Sequence, residues 1–265
     1  MELSQKEFQA FSSLIYKLSG INLHEGKKKL LEARLSKRLK ATGITSVKDY
    51  LALIRRDKEE LKNLLDAVST NYTYFFRESR HFECLQPQHT LIWSAGCASG
   101  EEPYSIAIYC LERGFRPNIL ATDISIKALS MARQGIYPLE KVKFIDSEIL
   151  RKYFKKGVGR WEGHVRVKPE LRQMVIFKRF NLLKGKVPRE AFHVIFCRNV
   201  MIYFDQDTKG LVVNKLYEAL KWDGLLVIGG AESLNGIAHP FRYIKPSVYQ
   251  KVARQANNRA GARSY

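Results

Sequence analysis

The sequence predicts an α/β protein built on a doubly wound, mostly parallel sheet, with a small N-terminal helical domain and an inserted antiparallel β flap. Three observations predict it. From Thr90 onward, short apolar runs alternate with amphipathic stretches of helical period, the pattern of strands separated by helices. Residues 1 to about 70 carry helical periodicity and no β signal. Between the second and third strand candidates, Lys155 to Val167 places three glycines among short β-prone pieces, which reads as a protruding flap at about 155–168.

In chain order, Phe8, Phe11, Leu14, Ile15 and Leu18 recur at helical spacing, and Gly20 ends that helix. The segment Lys27 to Lys40 follows, with seven basic residues against Glu32. Leu31, Leu35 and Leu39 form its inward stripe, and Lys29, Lys37 and Lys40 fall on the opposite face. Gly43 breaks the chain before two more amphipathic helices, Val47 to Ile54 and Glu59 to Val68. The strand candidates are Leu91 to Ala95, Ile119 to Asp123, Val175 to Phe180, His193 to Cys197 and Leu225 to Gly229. Pro103 to Leu111, Ile126 to Gln134 and Thr208 to Leu220 are the clearest helices between them. Phe241 to Val252 has the mixed pattern of closing antiparallel strands, and residues 255–265 form a polar tail expected to fray.

The chain is 45% hydrophobic and 27% charged, within the range of soluble globular proteins. It has no apolar run of membrane-spanning length and no secretory leader pattern, so a soluble, cytoplasmic protein without membrane insertion is expected. Four cysteines without C-x-x-C spacing point to reduced thiols, with no metal site and no disulfide. The formal charge of +19 implies an acidic partner: a nucleic acid, a membrane surface or an acidic protein.

The chemistry is anchored at Trp93 to Tyr104, W-S-A-G-C-A-S-G-E-E-P-Y. It reads as strand, glycine turn and helix, placed where ligands bind in open α/β sheets. Glu101 and Glu102 stand where a phosphate would otherwise sit; they repel a pyrophosphate and suit an ammonium, a sulfonium or sugar hydroxyls. An ordinary tight turn with two acids at a helix start fits the same residues. Asp123, ending the second strand, suits ribose hydroxyls, or alternatively a helix cap next to Ser125. Together with Glu102 it favours an adenosine-containing ligand without phosphate, which S-adenosylmethionine fits.

Beyond these residues, T-N-Y-T-Y-F-F-R-E at Thr70 to Glu78, then A-T-D-I, N-L-L and I-F-C-R-N-V-M-I-Y-F-D follow in order. With the glycine turn, this series closely resembles the CheR family of bacterial chemotaxis receptor methyltransferases, over nearly the whole chain to about Tyr249. The resemblance implies the S-adenosylmethionine-dependent methyltransferase fold, with a helical domain at 1–70, a linker and cofactor-covering segment at 71–90, and the methyltransferase domain at 91–254.

It also implies site residues. Asn71, Thr73 and Arg77 match the segment that bridges the domains and covers the cofactor. Glu102 and Asp123 match cofactor contacts, Asn181 and Leu182 the adenine side, and Arg198 and Asn199 the methionine side. Arg77 and Tyr203 match the pair that orients the substrate carboxylate. The implied reaction is methyl-ester formation on receptor glutamates in chemotaxis adaptation, leaving S-adenosylhomocysteine, by a monomeric enzyme. The basic face of Lys29, Lys37 and Lys40 would meet acidic receptor helices, and the flap could add a receptor tail peptide to its edge. A carboxylate nucleophile is ionised at neutral pH, so no general base is required, in keeping with the lack of a His-Asp or Cys-His pair. Two departures stand out: the connection from Ser79 to Thr90 is short, and G-G-A-E-S-L stands where G-H-S-E is common.

The competing readings are a nucleic-acid methyltransferase and a non-catalytic cofactor-binding module. Asn199 is followed by V-M-I-Y rather than the Pro-Pro-aromatic of base amino-methylation, and Cys197 lies in an apolar strand where a thiolate is disfavoured. Arg77 and Tyr203, both present, argue against loss of activity.

Overall fold

A computed structural model describes residues 1–252, and the polar tail at 255–265 lies outside them. The N-terminal part is four helices: α1 (Gln5–Ser19), α2 (Lys28–Thr42), α3 (Val47–Arg56) and α4 (Lys58–Val68). Ser4 and Glu7 form a capping box on α1, and Gly20 closes it in the left-handed region. Ser46 and Asp57 cap α3 and α4. The apolar stripes meet in a separate core of Phe11, Ile15, Leu35, Tyr50 and Leu64. Lys29, Lys37 and Lys40 are exposed on the outer face of α2.

The second part contains β1 (Leu91–Ala95), α5 (Glu101–Glu112), β2 (Asn118–Asp123), α6 (Ile126–Gln134), β3 (Ile136–Pro138), α7 (Ser147–Tyr153), β4 (Phe154–Lys156) and β5 (His164–Val167). It continues through α8 (Pro169–Arg172), β6 (Val175–Arg179), β7 (Phe192–Cys197), α9 (Gln206–Ala219), β8 (Leu220–Ile228), β9 (Arg242–Lys245) and β10 (Val248–Gln250). The main sheet has the order β6-β2-β1-β7-β8-β10-β9. Its first five strands are parallel and the last two antiparallel. Helices cover both faces, so the central strands are buried throughout; Ile92, Ala121, Val194 and Phe196 are inaccessible. The strand order reverses between β1 and β7, which opens a crevice at their carboxyl ends.

Two elements are longer or more numerous than the sequence pattern suggests. Strand β8 starts at Leu220, not Leu225: Leu220 pairs with Phe192 of β7, and residues 221–224 form a bulge before the pairing resumes at Leu225 opposite Val194. The flap has three strands, in the order β3-β5-β4, and β3 comes from Ile136 to Pro138, outside the predicted span. The short connection after residue 78 is taken up by a turn of 3₁₀ helix at Ser79–Cys84, whose Phe82 is fully buried against Tyr109 and Phe196.

The helical part docks over the crevice through a few polar contacts. The Asn181 amide donates to Leu18 O at 2.7 Å, the Asn22 N–H donates to Tyr203 O at 2.8 Å, and the Tyr16 and Thr208 hydroxyls meet at 3.1 Å. Asp66 on α4 accepts from the Ile126 and Lys127 N–H groups, which begin α6. Among the described residues no helix is long and apolar enough to cross a membrane.

Candidate functional site

The crevice holds a cavity that opens to solvent. Every strand that contributes to it does so from its carboxyl end. After β1 the chain turns at Gly96, whose φ of +82° suits glycine and whose absent side chain makes room for Val200; a Cβ there would lie 2.3 Å from Val200 Cγ2. The turn is tied to the next strand by Gly96 and Cys97 N–H groups donating to Thr122 O, at 2.7 and 2.9 Å. The Ala98 N–H then donates to Asp123 Oδ2 at 2.9 Å.

Asp123 is nearly inaccessible and organises two turns at once. Its Oδ1 accepts from the Ser125 N–H at 2.8 Å, and Ser125, not Asp123, caps α6 through Ala128 N–H. Each carboxylate oxygen keeps a lone pair for a ligand hydroxyl. Burial pushes the Asp123 carboxyl up, against the pull of those backbone N–H groups.

Glu102 lies opposite, in the first turn of α5. Its Oε1 accepts from the Ser94 hydroxyl at 2.7 Å, and its Oε2 sits 3.4 Å from Arg198 Nη1. Burial pushes this carboxyl up as well, and Arg198 and Ser94 pull it down in part. Glu101 does not share the site. It is fully buried on another side of α5, where the Ser99 hydroxyl donates to it and Lys141 Nζ stands 3.1 Å away. The expectation that both acids face the ligand is corrected on this point, because neighbours on a helix point about 100° apart.

Arg198, just after β7, is buried at the back of the cavity. Its Nη2 donates to Arg77 O and to Glu78 Oε2, its guanidinium lies over the Phe82 ring, and its Nε and Nη1 make no hydrogen bond among the described residues. A buried cation is costly unless it is paired, and here Glu78 and Glu102 stand at 3.3 and 3.4 Å from its guanidinium nitrogens. Arg77 is held more loosely. It makes one hydrogen bond, to Tyr72 O at 3.2 Å, and its side chain remains 26% exposed.

Asn71, Thr73, Arg77, Glu102, Asp123, Asn181, Leu182, Arg198, Asn199 and Tyr203 all line this one cavity. The side chain of Asn181 is already engaged, donating to Leu18 O and accepting from the Leu183 and Lys184 N–H groups. Asn71 donates to Ser125 Oγ at 3.3 Å. Lys29, Lys37 and Lys40 lie outside the cavity; Lys37 borders a separate groove with Arg34 and Lys127.

Two acids that sequence reasoning did not assign hold the site together. Glu78 follows Arg77 in the F-F-R-E run and accepts from the Gly230 N–H at 3.0 Å as well as from Arg198. Burial raises its carboxyl, but Gly230 and Arg198 outweigh this and hold it below the usual range. Glu232 accepts from the N–H groups of Gly229, Asn199, Met201 and Ile202, fixing the turn that carries Asn199 and Tyr203. This acid in G-G-A-E-S-L does its work without the missing histidine. The thiols are not reactive groups here: burial pushes Cys97 and Cys197 well up, with nearby carboxylates adding to it.

Comparison with known proteins agrees with this geometry. Residues 71–250 match the family model described as CheR methyltransferase, SAM binding domain, and residues 6–69 match CheR methyltransferase, all-alpha domain. The chain is similar to the chemotaxis protein methyltransferase of Borreliella burgdorferi, 39% identical with 95% of this chain and 96% of that one covered. It is also similar to chemotaxis protein methyltransferase 2 of Pseudomonas aeruginosa, 38% identical with 93% of each chain covered. The chemotaxis protein methyltransferase of Escherichia coli is 37% identical, with 94% of this chain and 92% of that one covered. With one buried acid at the end of β2, a second acid at the start of α5 and both family models spanning the chain, this is an S-adenosylmethionine-dependent methyltransferase that belongs to the CheR family.

Proposed function

We propose that the protein methylates glutamate side chains on the cytoplasmic helices of chemoreceptors, forming methyl esters in chemotaxis adaptation. The observation that carries this is a cavity with two loosely held groups at its mouth, Arg77 and Tyr203, above two buried acids, with no nucleophile or base of its own. When bound, S-adenosylmethionine supplies an electrophilic methyl group next to a positive sulfur. Glu102 and Asp123 match that ligand's positive charge and ribose hydroxyls, and the guanidinium of Arg198, which lines the same cavity, matches its anionic end. Arg77 and Tyr203 hold the incoming carboxylate. The half-buried setting removes water from a weak nucleophile whose charge disappears in the reaction. Asn71, Thr73, Asn181, Leu182 and Asn199 complete the cofactor surround. A tritiated-methyl assay comparing receptor cytoplasmic helices with RNA tests the substrate. Base-labile label on the receptor is expected, and label on RNA alone would overturn the assignment.

The two buried acids make cofactor affinity depend on pH. A carboxyl raised by burial is protonated in the free protein at pH values where an exposed one, near 4.5 for Glu and 3.8 for Asp, has ionised. Its ionisation disfavours the folded state as pH rises through this window, so apo stability falls there. A cationic ligand favours the ionised form. Cofactor affinity is therefore expected to increase with pH above 4.5, with proton release on binding, and Glu102→Gln should flatten the dependence, leaving the part due to Asp123. Calorimetry in buffers of different ionisation enthalpy reads the protons, and a flat affinity in the wild type would remove this role.

The proposed partner is an acidic receptor bundle meeting Lys29, Lys37 and Lys40, in the cytoplasm, with the enzyme a monomer. The flap groove, with Lys155, Lys156, Trp161 and Arg166 around it, is the proposed seat of a receptor tail peptide added to the sheet edge. Changing the three lysines to Glu should raise KM for receptor several-fold at low salt, less as salt increases, and leave cofactor affinity unchanged. An unaltered KM at low ionic strength would reduce this face to a solvated surface.

A further inference from the structure

Lys141 is outside the cavity, in the turn that leads from β3 into α7, yet its ammonium reaches a segment that borders it. It donates to Thr73 O at 2.8 Å and lies 3.1 Å from Glu101 Oε1. Thr73 belongs to the segment 71–77 that borders the cavity, and the Glu101 side chain has no exposed surface. The same segment is inserted into the base of the flap. The Phe75 ring packs edge-on against Tyr137 of β3 and Phe154 of β4, with centroids 5.0 and 5.4 Å away. Tyr137 in turn donates to Ser99 O, in the glycine turn, at 2.7 Å.

This segment does not hold its own shape. It is irregular, and Phe76 and Glu78 have φ of +58° and +48°, in the left-handed region that non-glycine residues enter only when their surroundings impose it. The Phe76 N–H is held by the Ser105 hydroxyl, and Thr73 O is held by Lys141. The ammonium at Thr73 therefore acts on the stretch between Asn71 and Arg77, both of which line the cavity.

We propose that Lys141 is a positioning residue that latches the 71–77 segment to the flap base, so that Asn71, Thr73 and Arg77 are in place when the cofactor arrives. The proposal rests on the cavity being the cofactor site. The ammonium lies between Thr73 O and the buried Glu101 carboxylate. Lys141 as a counterion to Glu101 and nothing more is the competing role, and the two differ when the charge is removed from both partners.

The experiment compares three variants of the full chain. Glu101→Gln removes the need for a counterion and leaves Lys141 free to hold Thr73 O. Glu101→Gln with Lys141→Met removes both charges, so that no unpaired buried carboxylate remains. Glu101→Gln with Lys141→Arg restores a donor. Calorimetric affinity for S-adenosylhomocysteine is expected to be near that of the wild type in the first and about tenfold weaker in the second, the scale of one charge-assisted hydrogen bond. The third should recover part of the loss. KM for the cofactor should rise in the second variant with kcat changed much less, and hydrogen exchange of residues 71–77 should quicken in that variant relative to the first. Equal affinity and exchange in the first and second variants would overturn the latch. So would a first variant as weak as the second, since the charge of Glu101 would then be what matters. Binding of S-adenosylhomocysteine by the wild type in the same titrations tests the cofactor reading separately.

Discussion

Glu232→Ala is expected to lower stability by about 3 kcal/mol and turnover by two orders of magnitude or more. The carboxylate receives four backbone N–H groups: Asn199 at 2.8 Å and Gly229 at 2.7 Å on Oε2, and Met201 at 2.7 Å and Ile202 at 3.3 Å on Oε1. Removing it orphans all four. Water replaces part of what is lost, because the side chain is only half-buried, so the effect is smaller than four separate penalties. The turn it fixes is strained, with Asn199 at a φ of +58°, and has no other acceptor of this kind to hold it. Arg198 and Tyr203 flank that turn, which is why activity should fall along with stability. Glu232→Gln should behave more like the alanine variant than like the wild type, since its NH₂ group would face N–H donors. Denaturant unfolding and steady-state rates check both, and a Gln variant with normal midpoint and turnover would show that the charge is dispensable.

Arg77→Ala should act in the opposite way, with a loss of turnover of about 10²- to 10³-fold and little change in stability. The side chain is a quarter exposed and makes one hydrogen bond to its own segment, so the fold has little to lose. What is lost is a planar fork at the cavity mouth that can hold a carboxylate while the rest of the site positions the donor. Arg77→Lys should restore only a small part, because a point charge does not reproduce the fork. Tyr203→Phe, which removes a single hydroxyl, should cost about tenfold. Separate measurements of cofactor affinity and of kcat show which carboxylate Arg77 grips: an affinity loss points to the donor, a kcat loss to the substrate. Normal rates in a folded Arg77→Ala preparation would remove the role.

How much of this was legible beforehand follows from where the signals lie in the chain. Central parallel strands are buried on both faces, so Leu91–Ala95 and Phe192–Cys197 read as apolar runs and were placed to within a residue. The first half of β8 is hidden because Lys221, Trp222 and Asp223 fall in a bulge and break the apolar run, and β3 because three residues give no alternation. Glu102 and Asp123 were legible as acids at the ends of a turn and a strand. Adjacent Glu101 was misjudged, because spacing does not say which of two neighbouring side chains in a first helical turn faces the ligand. Glu232 escaped because its partners Asn199, Met201 and Ile202 are about thirty residues upstream, and nothing in G-G-A-E-S-L states which N–H groups the fold will bring to it. Lys141 escaped for the same reason: its contacts at Thr73 and Glu101 are tertiary.

The start of α6 is shared property. Its leading N–H groups are divided between Ser125 of the sheet-bearing part and Asp66 of the helical part, and the same turn positions Asp123. A recombination event that paired this sheet-bearing half with an unrelated N-terminal module would leave the Ile126 and Lys127 amides without their acceptor, close to Asp123. A chimera between relatives should therefore keep its crossover outside the span from Asp66 to Lys127.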